Sequence, residues 1–405
     1  MKKGSFNTVS QDRLHLPKGF SYAVTYAGIR KKEREDLALI ASEPPANAAA
    51  LFTTNRVKAA PVVLSMQHLA ATKGKVRAVV VNAGNANCAT RTGDAVARRT
   101  AEACAALLGC SPEEVLPSST GVIGMELDVN KITAKLPELA ASLQPGALPA
   151  VAGAIMTTDT FPKLASRRVK LSGGVVCIAG IGKGAGMIHP NMATTLNFVM
   201  TDAAIPAPPL RRLLKDGADQ SYHCITIDGD TSTNDTLLLM ANGASGVKLS
   251  KEDEPLFRKA LVGLLQDIAK LIARDGEGAS HFITIRLRGT RNDAEARKMA
   301  RAIANSPLVK TAIAGCDPNW GRILSAAGYS GVEFDPTKVS IRLQKTLVCR
   351  NGLLAPFEEP PLIEKLKEHD VEIDFQIANG GPGQCTFWTC DFTEDYVKIN
   401  AEYRT

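Results

Sequence analysis

Runs of alternating or continuous apolar residues recur along the chain and predict strands. They fall at 75–82 (KVRAVVVN), 173–180 (GGVVCIAG), 195–202 (TLNFVMTD), 235–242 (DTLLLMAN), 281–289 (HFITIRLRG), 338–343 (KVSIRL) and 371–378 (VEIDFQIA). Helical periodicity is found elsewhere. GDAVARRTAEACAALLG (93–109) reads as a helix closed by a glycine, and Ser111, Pro112 and Glu114 read as cap, first helical position and capping-box partner of another. The clearest helix is 254–276. Leu256, Ala260, Leu264, Ile268, Leu271 and Ile272 lie on one stripe there, and Gly276 ends it. The softest stretches are SLQPGALPAVAG (142–153) and AAIPAPPL (203–210). No repeat or low-complexity segment interrupts this order, which predicts a mixed α/β or α+β protein.

A length of 405 residues suffices for two domains or one large one. With 45% hydrophobic, 22% charged and 5% aromatic residues, the composition is that of a soluble globular protein. No apolar run approaches the ~18 residues of a membrane span, and MKKGSFNTVSQDRLHLPKGF at the start lacks a signal-peptide core. The expected location is the cytoplasm. The cysteines number nine, without CxxC spacing; Cys385 and Cys390 are the closest pair, and all are expected to be reduced thiols packed as small hydrophobes. The six histidines make no HxxxH or HExxH pair, so no metal site is expected. The net charge of +7 is spread along the chain; it suits anionic small molecules and makes no basic tract for nucleic acid.

The stretch GGVVCIAGIGKGAGMIHPNMATTLNF (173–198) carries the most chemistry, and three readings compete for it. A Walker A loop fails, because Lys183 is followed by Gly184 and position 177 is Cys. A dinucleotide fingerprint is matched by Gly180, Gly182 and Ala185, with Asp202 downstream, but Pro190 and Asn191 stand where its helix must open. In the third reading, Gly180, Gly182, Gly184 and Gly186 permit unusual backbone and close approach of main chain, and hold the Ala193–Thr194 peptide bond under strain. The Thr194 hydroxyl then attacks the preceding carbonyl, an ester forms, water cleaves it, and a new chain begins at Thr194. Its freed α-amine, with a reference pKa near ~8, serves as the base for its own hydroxyl. Thr194 and Thr195 equally suit the start of a strand.

GKGAGMIHPNMATTL resembles the self-cleaving signature of the ornithine acetyltransferase family, the glutamate N-acetyltransferases of arginine biosynthesis, whose pattern is close to GKGSGMIxPNMATML. The resemblance extends through DLALIASEPPANAAALFTTNRVKAAPV (36–62), NAGNANCATRTGD (82–94), SSTGVIG (118–124), AIMTTDTFPK (154–163), ITIDGDTSTNDT (225–236), ARDGEGAS (273–280), GCDPNWGRI (315–323) and YVKINAEYRT (396–405). Thr195 stands where Met is usual, His189 replaces a commoner alanine, and GASHF replaces a more usual GATKF.

The resemblance implies an α/β fold of stacked sheets covered by helices, an autoprocessed sandwich of the N-terminal-nucleophile kind. Self-cleavage between Ala193 and Thr194 would yield an alpha chain, 1–193, and a beta chain, 194–405. Thr194 is implied as the nucleophile that carries acetyl as an ester, and Thr120 with Gly121 as the oxyanion hole. Thr157, Lys183, Thr194, Glu277, Asn400 and Thr405 are implied as the substrate-binding set. Lys183 offers a cation to a carboxylate and Glu277 an anion to the ornithine ammonium. The substrates implied are N2-acetylornithine and glutamate, with acetyl-CoA as a further acetyl donor in some members and no cofactor. Both fragments would build one site, and two such pairs would assemble as a heterotetramer. An N-terminal-nucleophile aminopeptidase or amidohydrolase, passing the acyl group to water, is the alternative. Asp228, Asp230 and Asp235 lack EF-hand spacing; DGDTSTNDT (228–236) and DPNWGR (317–322) read as walls or scaffolding of the site.

Overall fold

The computed structural model of the chain describes residues 14–189 and 195–402. These divide into two compact units. The first comprises 14–184, 195–222 and 231–272, and the second 185–189, 223–230 and 273–402.

The first unit is built on an eight-stranded sheet. Its strands are β1 (Phe20–Thr25), β2 (Leu37–Phe52), β3 (Lys75–Asn85), β4 (Val115–Val122), β5 (Lys163–Leu171), β6 (Gly174–Lys183), β7 (Leu196–Thr201) and β8 (Thr236–Ala241). They run in the order β4-β3-β2-β8-β7-β6-β5, with β1 beside the first half of β2. The β3–β4 and β7–β8 pairs are parallel. Alternate residues of the central strands enter different cores. Ala38, Ile40, Val79 and Val81 pack with Leu148, Val151 and Ile155, whereas Leu37, Leu39, Ala78 and Val80 pack with Val96, Ala101 and Cys104 of the helix Gly93–Leu108. Covered on both faces, such strands read as continuous apolar runs rather than as alternation.

The second unit holds a six-stranded sheet. Its strands are β9 (Phe282–Thr290), β10 (Val339–Leu343), β11 (Thr346–Arg350), β12 (Leu353–Leu354), β13 (Asp370–Ile377) and β14 (Gly383–Cys390), in the order β12-β11-β10-β13-β9-β14. The β13–β9 pair is parallel and the other pairs are antiparallel.

The mixed α/β class expected from the sequence is what the chain forms, and all seven predicted strands are present. Several details differ. β2 (LALIASEPPANAAALF) carries too much alanine and two prolines to read as a strand. It survives because its register against β3 breaks between Ala41 and Ala46, so Pro44 and Pro45 lie in a bulge and are not asked to donate. The two soft stretches each hold the start of a helix. Helices Leu148–Ala154 and Ala207–Asp219 each carry proline in the first turn, where its missing N–H costs no intrahelical bond. The long helix runs Glu254–Arg274, but its buried stripe is Phe257, Leu261, Leu264, Leu265, Ile268 and Ile272. Leu256 is 48% exposed, because the face that meets the sheet is centred one residue further round the helix. Pro112–Glu114 is a single 3-10 turn: Glu114 does reach back to the Ser111 N–H, at 3.1 Å, but β4 begins at once.

Candidate functional site

The four glycines before Thr194 have separate jobs. Gly180 and Gly182 lie inside β6, where a Cβ would stand 2.9 Å from Leu264 and 2.7 Å from Ile268 respectively, so both admit the long helix against the sheet. Neither opens a helix, as a dinucleotide loop would require. Gly184 has φ +146° and Met187 φ +56°; for a side chain as large as methionine the second is a strained conformation. Gly186 makes room for a carboxylate, as shown below.

In the first unit, Thr120 and Gly121 lie at the end of β4, beside the parallel β3. The register shifts at Gly84 and Asn85, opposite these two residues. Gly121 has φ +133°, and a Cβ there would stand 2.5 Å from the Asn85 nitrogen, so only glycine fits. The strand is secured from behind. Asn82 Nδ2 donates to Ser119 Oγ at 2.5 Å, and the buried Asn234 amide donates to the carbonyls of Ala86 and Ser119 at 2.7 and 2.9 Å. Lys183 ends β6 and donates from Nζ to Thr120 Oγ1 at 3.2 Å, both residues being buried. A hydroxyl that accepts from an ammonium is polarised, and its own proton becomes a better hydrogen-bond donor.

A buried ion pair adjoins Lys183. Asp159 Oδ1 accepts from Lys163 Nζ at 2.6 Å and from the Gly184 N–H at 2.7 Å, while Oδ2 accepts the Thr157 N–H at 2.9 Å. Burial alone would raise the Asp159 carboxyl. The charges of Lys163 and Lys183, with these hydrogen bonds, outweigh it and hold the group well below the usual carboxylate range. Thr157, half-buried, is thereby tied through its backbone to the end of β6. Thr195 is also fixed: its hydroxyl accepts from Asn197 Nδ2, its carbonyl takes the Thr236 N–H at 2.9 Å, and Asn197 Oδ1 accepts from Tyr222 at 2.7 Å.

In the second unit, Glu277 sits in the tight turn between the long helix and β9, with its N–H on the Ala185 carbonyl at 2.8 Å. Its carboxylate lies over Gly186 and accepts from Asn400 Nδ2 at 2.8 Å. Asn400 belongs to the helix Glu394–Ala401, capped by Thr393, whose hydroxyl also donates to the Gly278 carbonyl at 2.6 Å. The Asn400 side chain and the Thr393 cap thus tie this helix to the turn that carries Glu277. Asp228 accepts the N–H groups of Met187 at 2.5 Å and Ile188 at 2.8 Å, and the Ile188 carbonyl takes the Ile227 N–H and the Thr226 hydroxyl, each at 2.9 Å. Burial raises the Asp228 carboxyl in spite of the N–H groups it accepts. His189 turns Nδ1 to the Asn305 amide at 3.3 Å, and burial, then Arg301, push its pKa down.

Of the residues expected from the sequence, Thr120, Gly121, Lys183 and Thr157 cluster in the first unit, and Glu277 with Asn400 in the second. Ala193, Thr194 and Thr405 lie outside the described residues. Within 228–236, Asp228 holds the N–H groups of Met187 and Ile188, and Asn234 holds the carbonyls of Ala86 and Ser119. DPNWGR instead caps the helix Trp320–Gly328 through Asn319 and borders a cleft with Leu354 and Phe357. Sequence reasoning missed Asp159 and Lys163, whose signal was an acid and a base four residues apart inside TTDTFPK. Among the described residues, no group of three or more His, Cys, Asp or Glu could hold a metal ion, and no helix is long and apolar enough to cross a membrane.

Comparison with known proteins adds a family. Residues 21–405 match the model of the ArgJ family. The chain is 46% identical, over 96% of its length and 99% of the relative's, to an arginine biosynthesis bifunctional protein ArgJ of Geobacter sulfurreducens. It is 45% identical, over 97% and 98%, to a protein of the same name from Caldanaerobacter subterraneus. Among solved structures it is similar to an ornithine acetyltransferase from Mycobacterium tuberculosis complexed with ornithine, at 35% identity and a TM-score of 0.37, over 44% of this chain and 94% of that one.

Proposed function

Because the chain belongs to the ArgJ family, we propose that it is an acetyltransferase of arginine biosynthesis, moving acetyl from N2-acetylornithine to glutamate. The observation that carries this is the match to bifunctional ArgJ proteins over almost the entire length of both chains.

The chemistry has two halves. The Thr194 hydroxyl attacks the acetyl carbonyl of N2-acetylornithine, with its own α-amine taking the hydroxyl proton. The amide C–N bond breaks, the proton passes to the leaving amine, and ornithine departs. Glutamate's α-amine then attacks the threonine ester, the C–O bond breaks, and N-acetylglutamate leaves with the hydroxyl restored. Thr120 and Gly121 stabilise the oxyanion in both halves. The Lys183–Thr120 bond supports this role, because it strengthens the hydroxyl as a donor. Lys183 and Thr157 take the amino-acid carboxylate, and Glu277, held by Asn400 and Gly186, takes the ornithine ammonium. Thr405 completes this binding set. None of these steps needs a metal or cofactor. The second activity is acetylation of glutamate by acetyl-CoA through the same ester.

The nucleophile is exposed by self-cleavage at Ala193–Thr194. The sheet supports two fragments that stay joined: β7 and β8, from 194–405, are hydrogen-bonded to β6 and β2, from 1–193. Two such pairs form a heterotetramer. Intact mass with N-terminal sequencing tests the reading. Two fragments are expected, the second beginning at Thr194, with Thr194→Ala giving one uncut, inactive chain. Fully active uncut protein, or release of free acetate in place of N-acetylglutamate, refutes it.

A further inference from the structure

Asp159 touches no substrate in this chemistry, yet it joins the two segments that carry binding residues. We propose that Asp159 is a positioning residue for amino-acid binding: its carboxylate locks the Thr157 turn to the end of β6, so that Thr157 and Lys183 act as one binding element. The identity of the amino acid rests on the function proposed above.

The argument is one of donors. Asp159 Oδ1 receives the Lys163 ammonium at 2.6 Å and the Gly184 N–H at 2.7 Å; Oδ2 receives the Thr157 N–H at 2.9 Å. Each of these three groups is a donor. An ionised acid satisfies all three, whereas an amide would point a hydrogen at one of them. The Asp159 and Lys163 side chains are fully buried, so water cannot stand in for a lost bond. Gly184 follows Lys183 directly, and Thr157 lies 27 residues earlier in the chain. Without Asp159, none of these three bonds holds the turn to the strand. Its effect is therefore expected mainly on substrate affinity, with a smaller effect on the acetyl-transfer step through the Lys183–Thr120 bond.

Asp159→Asn tests this. It preserves shape and sets an amide hydrogen against Gly184 and Lys163 or against Thr157. The Kd for ornithine, measured by calorimetry, and the KM for both amino-acid substrates are expected to rise about 10- to 100-fold, with kcat changing much less. Asp159→Asn/Lys163→Met removes both charges, so folding does not have to bear an unpaired buried cation, and the same rise in Kd is expected. In a Lys183→Met background, Asp159→Asn is expected to add little, because the two act through one element. Wild-type affinity in either Asp159 variant, or full additivity with Lys183→Met, overturns the proposal. Wild-type protein that binds ornithine but forms no N-acetylglutamate refutes the transferase and leaves the affinity comparison to decide on Asp159. Protein that does neither refutes both.

Discussion

A methyl group on Gly186 would stand 2.6 Å from Oε1 of Glu277, so the backbone at 186 and the carboxylate at 277 occupy space that only glycine leaves open. Gly186→Ala is expected to push the carboxylate off Asn400 and lower kcat/KM for N2-acetylornithine by roughly 10- to 100-fold, as losing a charge-assisted contact would. Because the Gly186 change acts only by displacing the Glu277 side chain, Gly186→Ala/Glu277→Ala should be no worse than Glu277→Ala alone. Steady-state kinetics of the three variants provide the check.

Gly121 is held to glycine by backbone alone, with φ +133° and the Asn85 nitrogen 2.5 Å from any Cβ. Gly121→Ala should cost about 1–3 kcal/mol in backbone strain, or shift β4 away from β3. Either outcome misaims the Thr120 hydroxyl. A lowered Tm is expected, with kcat falling more than KM rises, read by thermal melts and initial rates.

If the chain is cut before Thr194 as proposed, the two fragments are expected not to separate under native conditions. Lys183 pairs with Leu196 across the β6–β7 ladder, and Asn47–Phe52 pair with Thr236–Ala241. Gel filtration should give one species whose denatured form runs as two bands. Separation without denaturant would contradict the strand order.

Acid should unfold the protein through specific carboxylates. Burial would raise both Asp159 and Asp391, but Lys163 and Lys183 around the first, and His281 and Ser280 bonded to the second, bring each below its ordinary value. A depressed folded-state pKa gives stability that is present above the unfolded value of ~3.9 and lost as pH falls below it. Tm should therefore drop steeply below about pH 4. Asp391→Asn should start from a lower Tm at pH 7 and show a shallower acid dependence, measured by calorimetry across pH 3–7.

Much of the fold was legible because apolar strands announce themselves wherever both faces are covered. Among the described residues seven strands escaped, and three of them have chemistry that contradicts their state. β2 holds prolines in a bulge, β5 (KLASRRVKL) is half basic, and β12 has only two residues. Proline misled in the opposite direction at 149 and 208, where it opens helices. The polar residues of the site were legible through motifs, but their wiring was not. Nothing in TTDTFPK shows that Asp159 will bond Gly184, since that contact exists only once β5 and β6 pair. Likewise Gly186 reads as flexibility in the sequence, whereas in the structure it is clearance for Glu277.

The interleaved course of the chain bears on the order in which a growing polypeptide can complete itself. Every strand of the first sheet has been synthesised by residue 241, while 185–189 and 223–230 await a unit whose own sheet starts at Phe282. Thr226 gives its N–H to the Trp388 carbonyl, on β14, and Glu277 meets Asn400 later still. The segment holding Met187 and Ile188 thus gains its last supports only when translation is nearly finished. If the chain cuts itself as proposed, premature scission on the ribosome would be disfavoured, since the strained turn at Met187 is braced by residues that emerge late.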